Sequence, residues 1–269
     1  MKSMESAIKI EGLRKVFTRK GEEIVAIKGI DLDIKEGDFV SVVGPSGCGK
    51  STFLHIVGGF IDKTSGKVLV RGKEVDKPAP DRGMMFQEST LFPWRKVFGN
   101  VAWGLEIQKL PKKEIQERVE HLLKLVGLWD FKDHLPSELS GGMKQRVSLA
   151  KVLAFNPEVL LMDEPFGALD SQTREIMQVE LLRIWSESKK SVIFVTHDIE
   201  EAVYLSDYVI VLTKRPSNVK EIIKVELPRP RDVSIRKSYE FINYRNYIWD
   251  LLHGEENVQS FRRGVTNAN

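Results

Sequence analysis

Alternation of apolar and polar residues dominates the chain between Ile8 and Val75. Turn residues separate four runs with this pattern, which are KIEGLRKVF, EIVAIKGIDLDI, FVSVVG and GKVLVRGKEV. A period of two is typical of half-buried β-strands, so we expect this part of the chain to be largely β. One helix interrupts the strands, because KSTFLHIV follows a glycine-rich loop and ends at Gly58 and Gly59.

The middle of the chain, from about residue 90 to 155, shows the period of helices instead. KKEIQERVEHLLKLVG carries an apolar stripe at helical spacing and ends on a glycine. A further helix is predicted to begin at LSGGMKQR, with Ser140 as its N-cap. Its apolar face consists of Met143, Val147, Ala150 and Ala154. We therefore expect this region to be mainly helical.

Three short apolar runs follow, and helical stretches separate them: EVLLMDEP, SVIFVTHD and YVIVLTK. This βαβ pattern is typical of a parallel sheet with helices on both faces, and the polar strand ends of such a sheet line a ligand crevice. After the proline-rich LPRPRD, a last helix carries a stripe of apolar residues before a polar tail begins at Gly254; the stripe is Phe241, Tyr244, Ile248 and Leu251. We expect this helix to dock on the core.

The composition, 42% hydrophobic and 29% charged residues, is ordinary for a globular protein. No apolar run approaches the roughly 20 residues of a membrane-spanning helix. The N-terminal MKSMESAIKIEG lacks the apolar segment of a secretion signal, and the single cysteine, Cys48, cannot form an internal disulfide, so we expect a cytoplasmic protein. A net charge of +3 is not the basic field that nucleic-acid binding favours.

The stretch GPSGCGKST at 44–52 matches the phosphate-loop pattern G-x-x-x-x-G-K-[ST] between a predicted strand and a predicted helix. Its backbone N–H groups would face the phosphates of a nucleotide, Lys50 would reach the β- and γ-phosphates, and Ser51 would ligate Mg²⁺. The alternative is a glycine-rich turn that matches by chance. The predicted ATP-binding residues of the loop are Gly44, Pro45, Ser46, Gly47, Cys48, Gly49, Lys50, Ser51 and Thr52. We interpret the Cys48 side chain as tolerated and not nucleophilic.

Two carboxylates end the apolar run in VLLMDEP. We expect Asp163 to hold Mg²⁺, directly or through water, and Glu164 to orient and deprotonate the water that attacks the nucleotide. The alternative is an acidic pair that caps the following helix. The phosphate loop at 44–52 favours the catalytic interpretation, because both features then belong to one crevice.

Three further side chains are candidates for the same site. His197 follows the apolar run SVIFVT and would point at the γ-phosphate, and its alternative is a structural hydrogen-bonding histidine. Gln87, in MMFQE, would act in catalysis by reaching Mg²⁺ or the attacking water. Phe17 would stack on the adenine ring, or it is a core aromatic residue. The remaining histidines show no metal-ligand spacing.

The order of these motifs, with LSGGMKQR between GPSGCGKST and VLLMDEP and with GALD and THD after them, resembles the nucleotide-binding subunit of an ATP-binding cassette (ABC) transporter. The resemblance covers about residues 8–225 and implies an ATPase of α/β fold. This fold is a phosphate-loop NTPase with a mainly parallel core sheet and helices, an N-terminal antiparallel β subdomain and a helical subdomain. The implied units are 1–90 and 155–226 for the ATP-binding core with the β subdomain, 91–154 for the helical subdomain with the LSGG signature, and 227–269 for a C-terminal extension.

In that family two cassettes enclose two ATP molecules head to tail. The resemblance therefore implies a homodimer in which Ser140, Gly141 and Gly142 contact the γ-phosphate of ATP bound to the partner. Asp170, in GALD, would join the two sites at the interface. The family signature commonly reads LSGGQ, whereas this chain has Met143. We expect the site to remain competent, because the backbone and Ser140 contacts do not need the glutamine amide.

The signature variant LSGGM, the segment LFPWRKVFGNVAWGLE and the tail RPSNVKEIIKVELPRPRD resemble the importer branch for nitrate, sulfonates, taurine or related small solutes. The large apolar residues of 91–106 favour an interface. By resemblance, Phe92 and Trp94 would contact integral membrane permease subunits at the inner face of the cell membrane, whereas Trp103 joins them or packs internally. The resemblance also implies a separate solute-binding protein.

The rival function is that of a nucleic-acid-associated ABC-type ATPase. Such proteins normally carry long heptad insertions or two tandem cassettes, and neither is found in this sequence. We therefore expect no nucleic acid among the partners, and we expect ATP and Mg²⁺ as the cofactors of a transport ATPase.

Overall fold

The computed structural model describes residues 6–19, 21–167 and 169–266. Within this part of the chain ten strands form one sheet: β1 (Ser6–Arg19), β2 (Glu22–Lys35), β3 (Phe39–Val43), β4 (Ser65–Val70), β5 (Lys73–Glu74), β6 (Arg82–Met85), β7 (Val159–Asp163), β8 (Ser191–Val195), β9 (Tyr208–Leu212) and β10 (Ser217–Lys224). The α-helices of the same described part are α1 (Lys50–Gly58), α2 (Val97–Ile107), α3 (Lys112–Leu125), α4 (Gly141–Ala154), α5 (Ser171–Ser188), α6 (Ile199–Leu205) and α7 (Tyr239–Thr266).

The sheet changes from antiparallel to parallel across its width. Its strand order is β5-β4-β1-β2-β10-β9-β3-β8-β7-β6. The strands from β5 to β2 pair antiparallel, whereas those from β9 to β6 pair parallel. Strand β10 joins the two halves, since it is parallel to β2 and antiparallel to β9. The predicted α/β fold, with N-terminal antiparallel strands and a mainly parallel core, is therefore confirmed.

Helices cover both faces of the parallel strands, and every residue of β3, β7 and β8 is buried as a result. Successive side chains of a strand point to opposite faces. In β3, Phe39 and Val43 pack with α5 and α6, while Val40 and Val42 pack with α1 on the other side. The polar residues that follow these strands lie at one edge of the sheet, because parallel strands end at the same edge.

Helices α2, α3 and α4 enclose a separate apolar core. The predicted apolar face of α4 points into it, because Val147, Ala150 and Ala154 are buried there and Met143 is partly buried. The helical character expected between residues 90 and 155 is thus present in these three helices. The division into units at residues 91 and 154 stays a prediction.

The C-terminal extension packs on the core. In α7, Phe241 and Ile248 are buried beside residues of α5 and α6, and Tyr244 and Leu251 pack against the same cluster. The docking expected from the apolar stripe is confirmed. The helix is interrupted at Gly254, with φ 67° and ψ 163°, where the sequence predicts the polar tail to begin. Among the helices of the described ranges, none is both long and apolar enough to cross a bilayer.

Candidate functional site

The loop at 44–52 connects β3 to α1, as the sequence predicts. Gly47 and Gly49 have φ of 71° and 113°, a left-handed backbone that a residue with a Cβ adopts only at a cost. Gly49 is the N-cap of α1, so the loop curls around the N-terminus of a helix. Lys50 turns back over the loop, and its Nζ donates to the carbonyl oxygens of Gly44 at 2.8 Å and Pro45 at 3.2 Å. These carbonyl contacts hold the ammonium group beside the place that phosphate would occupy.

Cys48 is buried inside the loop. A Cβ on Gly44 would lie 2.8 Å from the Cys48 sulfur, so the two residues fit only because position 44 lacks a side chain. Burial raises the pKa of the Cys48 thiol above its ordinary value. A protonated, buried thiol is a poor nucleophile, which agrees with the interpretation of Cys48 as a tolerated side chain.

Ser51 and Asp163 form a pair at the centre of the site. Ser51 lies in the first turn of α1, and its Oγ donates to Asp163 Oδ1 at 3.0 Å. Asp163 ends β7 with 4% of its surface exposed, and burial raises the pKa of its carboxyl group. A serine hydroxyl and a carboxylate are oxygen donors of the kind that Mg²⁺ prefers, so the pair fits this ion.

His55 is a residue of this site that the sequence analysis missed. Its Nε2 lies 3.6 Å from Asp163 Oδ2, and this nitrogen is buried without a hydrogen-bond partner. The signal was its spacing, because His55 follows Ser51 by four residues on the same helix and therefore lies on the same face.

Glu164 and His197 meet at the ends of two neighbouring strands, β7 and β8. His197 Nδ1 lies 3.0 Å from Glu164 Oε2. Glu164 has a φ of 44°, which is rare for a residue with a side chain, and its backbone N–H donates to the carbonyl of Val195 at 2.9 Å. Strained backbone of this kind is often found at functional sites. The structure thus brings together the two side chains predicted to act on water and γ-phosphate.

Gln87 lies near the same edge of the sheet, since it follows β6 and Met85 of β6 pairs with Met162 of β7. Its carbonyl oxygen accepts a hydrogen bond from Gln145 Nε2 at 3.0 Å, which ties this loop to α4.

Phe17 lies on β1 with 38% of its surface exposed, and the Lys15 ammonium lies 4.8 Å from its ring centroid. The core alternative for Phe17 is therefore wrong, and a surface ring remains available for stacking.

The predicted second phosphate site lies in a separate cleft of about 520 Å³. Ser140 is the N-cap of α4 and accepts a hydrogen bond from the backbone N–H of Met143 at 3.3 Å. Asp170 is the N-cap of α5 and accepts from Thr173 N at 2.9 Å. The predicted residues Ser140, Gly141, Gly142 and Asp170 line the cleft together with Met143. The lining residues that the sequence analysis did not select are Gly127, Leu128, Phe131, Arg146, Leu169 and Thr173. No residue of the loop at 44–52, all of which is described, is among them.

A third feature is an aromatic patch, which we define as Phe92, Trp94, Trp103 and Lys151. The ring of Phe92 lies 5.7 Å from that of Trp94 and 5.0 Å from that of Trp103. Trp94 is 75% exposed. Lys151, on α4, was not selected from the sequence; its Nζ lies 3.9 Å from the Phe92 ring centroid, and burial lowers its pKa to about 8. An exposed tryptophan beside a desolvated cation is typical of a protein interface.

Comparison with known proteins gives the family. The family model described as ABC transporter matches residues 27–167. An uncharacterised ABC transporter ATP-binding protein of Methanocaldococcus jannaschii is 52% identical over 252 residues, which are 94% of this chain and 93% of that protein. The nitrate import ATP-binding protein NrtD of Synechocystis sp. is 44% identical over 94% of this chain and 97% of its own length.

A solved structure shows the same fold. It is a dimeric, post-hydrolysis state of the ATP-binding cassette MJ0796 bound to ADP and Pi, with 35% sequence identity and a TM-score of 0.74. The match covers 82% of this chain and 100% of that one. The chain therefore belongs to the ABC transporter family, as one of its ATP-hydrolysing subunits.

Proposed function

We propose that the chain is the ATPase subunit of an importer for a small solute of the nitrate, sulfonate or taurine kind, and that two copies of it enclose two ATP molecules. One observation carries the proposal. The loop at 44–52 and the cleft at Ser140–Gly142 each lie at a helix N-terminus, where phosphate binds readily, yet no residue of the loop lines the cleft. A twofold axis would bring the cleft of one copy to the loop of the other. The dimeric relative bound to ADP and Pi supports the pairing, and the nitrate relative supports the solute class.

The residues around the loop would divide the hydrolytic work. The loop N–H groups and Lys50 bind the phosphates, while Ser51, Asp163 and Gln87 hold Mg²⁺, which when bound stabilises the negative charge of the γ-phosphoryl group. Glu164 accepts the proton of the attacking water. His197, already beside Glu164, keeps this carboxylate aimed and senses whether the γ-phosphate is present.

The partner would complete each site. Ser140, Gly141 and Gly142 present a hydroxyl, backbone N–H groups and the positive end of the α4 dipole to the γ-phosphate of the other copy. Asp170, in the same cleft, links the two sites. The binding energy of ATP closes the dimer, and hydrolysis followed by phosphate release reopens it. The two copies thus stay together as long as ATP is bound between them.

Closure would be transmitted to membrane permease subunits through Phe92 and Trp94 of the aromatic patch. Lys151 connects this patch to α4, the helix whose N-terminus would bind the partner's ATP. The same helix therefore touches both the nucleotide cleft and the exposed patch. In this arrangement the subunit works at the cytoplasmic face of the membrane, and a separate solute-binding protein delivers the solute to the permease.

The test is purification of the tagged chain from native membranes, identification of the bound membrane subunits, and assay of ATP hydrolysis with nitrate, taurine and an alkanesulfonate. We expect the permease to co-purify and one of these solutes to stimulate hydrolysis. Trp94→Ala should reduce co-purification at least about tenfold without changing hydrolysis by the isolated chain. Tyr239→Ala is the control, because Tyr239 and Trp94 are both 75% exposed. Stimulation by none of the solutes would contradict the proposed solute class, and unchanged co-purification of the Trp94 variant would exclude the patch as the permease contact.

A further inference from the structure

A chain of hydrogen bonds connects the C-terminal extension to the loop that carries His197. Arg236 lies in a 3₁₀ turn, Val233–Lys237, and its Nη2 donates to Gln178 Oε1 on α5. Gln178 Nε2 donates to Glu201 Oε1 on α6 at 3.0 Å. Thr196 Oγ1 donates to Glu201 Oε2 at 2.7 Å, and Thr196 is the residue immediately before His197. We call Arg236, Gln178, Glu201 and Thr196 the relay network.

The inner part of the relay network is shielded from water. Gln178, Glu201 and Thr196 have 2%, 6% and 2% of their surfaces exposed. Burial raises the pKa of Glu201, while its hydrogen bonds from Thr196 and Gln178 act in the opposite direction. Hydrogen bonds in such surroundings are strong, and a broken one leaves a buried polar atom without a partner. Breaking a hydrogen bond at one end of the network therefore alters the hydrogen bonding at the other end.

Arg236 acts with Glu201 to fix which way the Gln178 amide faces. A guanidinium group only donates, so it binds the amide oxygen and leaves the amide nitrogen to donate to Glu201. Two contacts keep Arg236 in place, since its guanidinium carbon lies 4.5 Å from the ring centroid of Tyr204 and its Nη1 lies 3.9 Å from Glu175 Oε2. Without the arginine, the Gln178 amide oxygen loses its donor, and this orientation of the amide depends on Glu201 alone.

Thr196 passes the constraint to His197. Its Oγ1 also accepts a hydrogen bond from the backbone N–H of Asp198 at 3.0 Å, so one hydroxyl holds the residues on both sides of His197. In front of the histidine is an open groove of about 640 Å³, and its side chain is 65% exposed. Because little packing surrounds the ring, its alignment with Glu164 depends on the backbone that Thr196 fixes.

We propose that Arg236 of the C-terminal extension is a positioning residue for His197, acting through the relay network. The extension then does more than cover apolar surface, since its docked state fixes the orientation of the histidine that faces the catalytic carboxylate. The importance of this alignment for hydrolysis rests on the proposed function, whereas the link between Arg236 and His197 does not.

The first experiment observes His197 directly in the full-length chain without nucleotide. Imidazole ¹H–¹³C NMR signals are recorded, and the His197 signal is identified as the one missing in His197→Gln. We expect Arg236→Met to move this signal and Arg236→Lys, which retains a donor, to leave it close to its original position. Gln178→Met breaks the network one link further on with Arg236 in place. It should move the same signal and decides the question if the Arg236 variant does not fold.

The matched control is Tyr247→Phe. This change removes another hydrogen bond between the extension and the sheet, from Tyr247 Oη to Glu221 Oε1 at 2.7 Å, and leaves the relay network intact. We expect no movement of the His197 signal in this variant. An unmoved signal in the folded Arg236→Met variant would overturn the proposal, as would an equal movement caused by Tyr247→Phe.

The second experiment measures steady-state ATP hydrolysis. Arg236→Met should lower kcat roughly three- to tenfold and leave KM for ATP within about twofold, because the histidine acts on bound nucleotide. If Arg236 only helped to dock the extension, Tyr247→Phe should have a similar effect. Both variants would then lose thermal stability, and neither would show the lower kcat with nearly unchanged KM. If the unchanged protein hydrolyses no ATP, the proposed function fails, while the NMR comparison still decides the link between Arg236 and His197.

Discussion

Glu164 combines an uncommon backbone with a side chain directed at His197. Its left-handed φ of 44° costs the fold some energy, and this cost is the same for glutamine, which has nearly the same shape. Glu164→Gln removes the proton acceptor and keeps the loop intact. We expect hydrolysis to fall at least about 100-fold while ATP affinity changes little. Phosphate release and equilibrium nucleotide binding measure the two quantities.

The same variant should accumulate as an ATP-bound dimer, because the complex forms and is not consumed. Size-exclusion chromatography with and without ATP detects this shift. Glu187→Gln is the control, since Glu187 is a surface carboxylate with 61% of its side chain exposed. Full steady-state hydrolysis by the Glu164 variant would contradict its role as the base.

Met143 stands where the family signature commonly has glutamine. Its backbone N–H binds Ser140 Oγ, and its side chain packs partly against the core of α2, α3 and α4. Met143→Gln keeps that backbone contact, so we expect the dissociation constant of the ATP-bound dimer to change less than about threefold. Ser140→Ala, in contrast, should weaken the dimer about tenfold. Analytical ultracentrifugation with ATP compares the two, and a large effect at position 143 would show that this side chain takes part.

At the scale of elements, α1 is held at its C-terminal end by Gly59. This glycine has a φ of 79°, and a Cβ there would lie 2.5 Å from the carbonyl carbon of Lys77. Gly72, with a φ of 75°, has nothing within 4 Å of the same position. Gly59→Ala should therefore cost about 2–4 kcal/mol of unfolding free energy, from backbone strain and overlap together. Gly72→Ala should cost only about 1 kcal/mol, from strain alone.

Urea denaturation of the two variants separates strain from overlap, because both place alanine in the same backbone conformation. Equal losses of stability would show that the backbone at Lys77 moves to accommodate the added methyl group. The end of α1 would then not be fixed by this contact. A larger loss in Gly59→Ala would show that the helix following the phosphate loop is held rigidly against the segment before β6.

Elements with local signals were predictable from the sequence. The α1 start at Lys50, the Ser140 cap and the buried strand before Asp163 depend on residues a few positions apart, and the structure has all three. The motif residues Glu164 and His197 also proved to be neighbours. Their chemical roles stay predictions, since a contact alone does not assign a proton transfer.

Contacts between distant segments were not predictable in the same way. Arg236 and Gln178 are 58 residues apart, and nothing in either local pattern marks them as partners. Lys151 is one of many lysines, and only the fold places it over Phe92. The exposure of Phe17 likewise depends on what covers β1. Single-residue roles outside motifs therefore required the structure.

At the scale of the whole molecule, the two predicted phosphate-binding features of each chain lie apart. The loop at 44–52 lies beside Asp163, Glu164 and His197, whereas Ser140 and Asp170 lie in a cleft that contains none of the loop. A monomer that hydrolysed ATP alone would need the two to meet within one chain. If the proposed dimer forms, every site takes its loop from one copy and its cleft from the other.

Mixing two inactive variants tests this arrangement. Lys50→Ala disables the loop, and Ser140→Ala disables the cleft, so each protein alone should hydrolyse ATP poorly. In a mixed dimer one site has both defects and the other has neither. Random pairing makes half of the dimers mixed, and each mixed dimer has one intact site of two. An equal mixture should therefore recover up to about one quarter of the activity of the unaltered protein. The control is each variant alone at the total concentration of the mixture. If Ser140 served the loop of its own chain, every site would keep one defect and no activity would return.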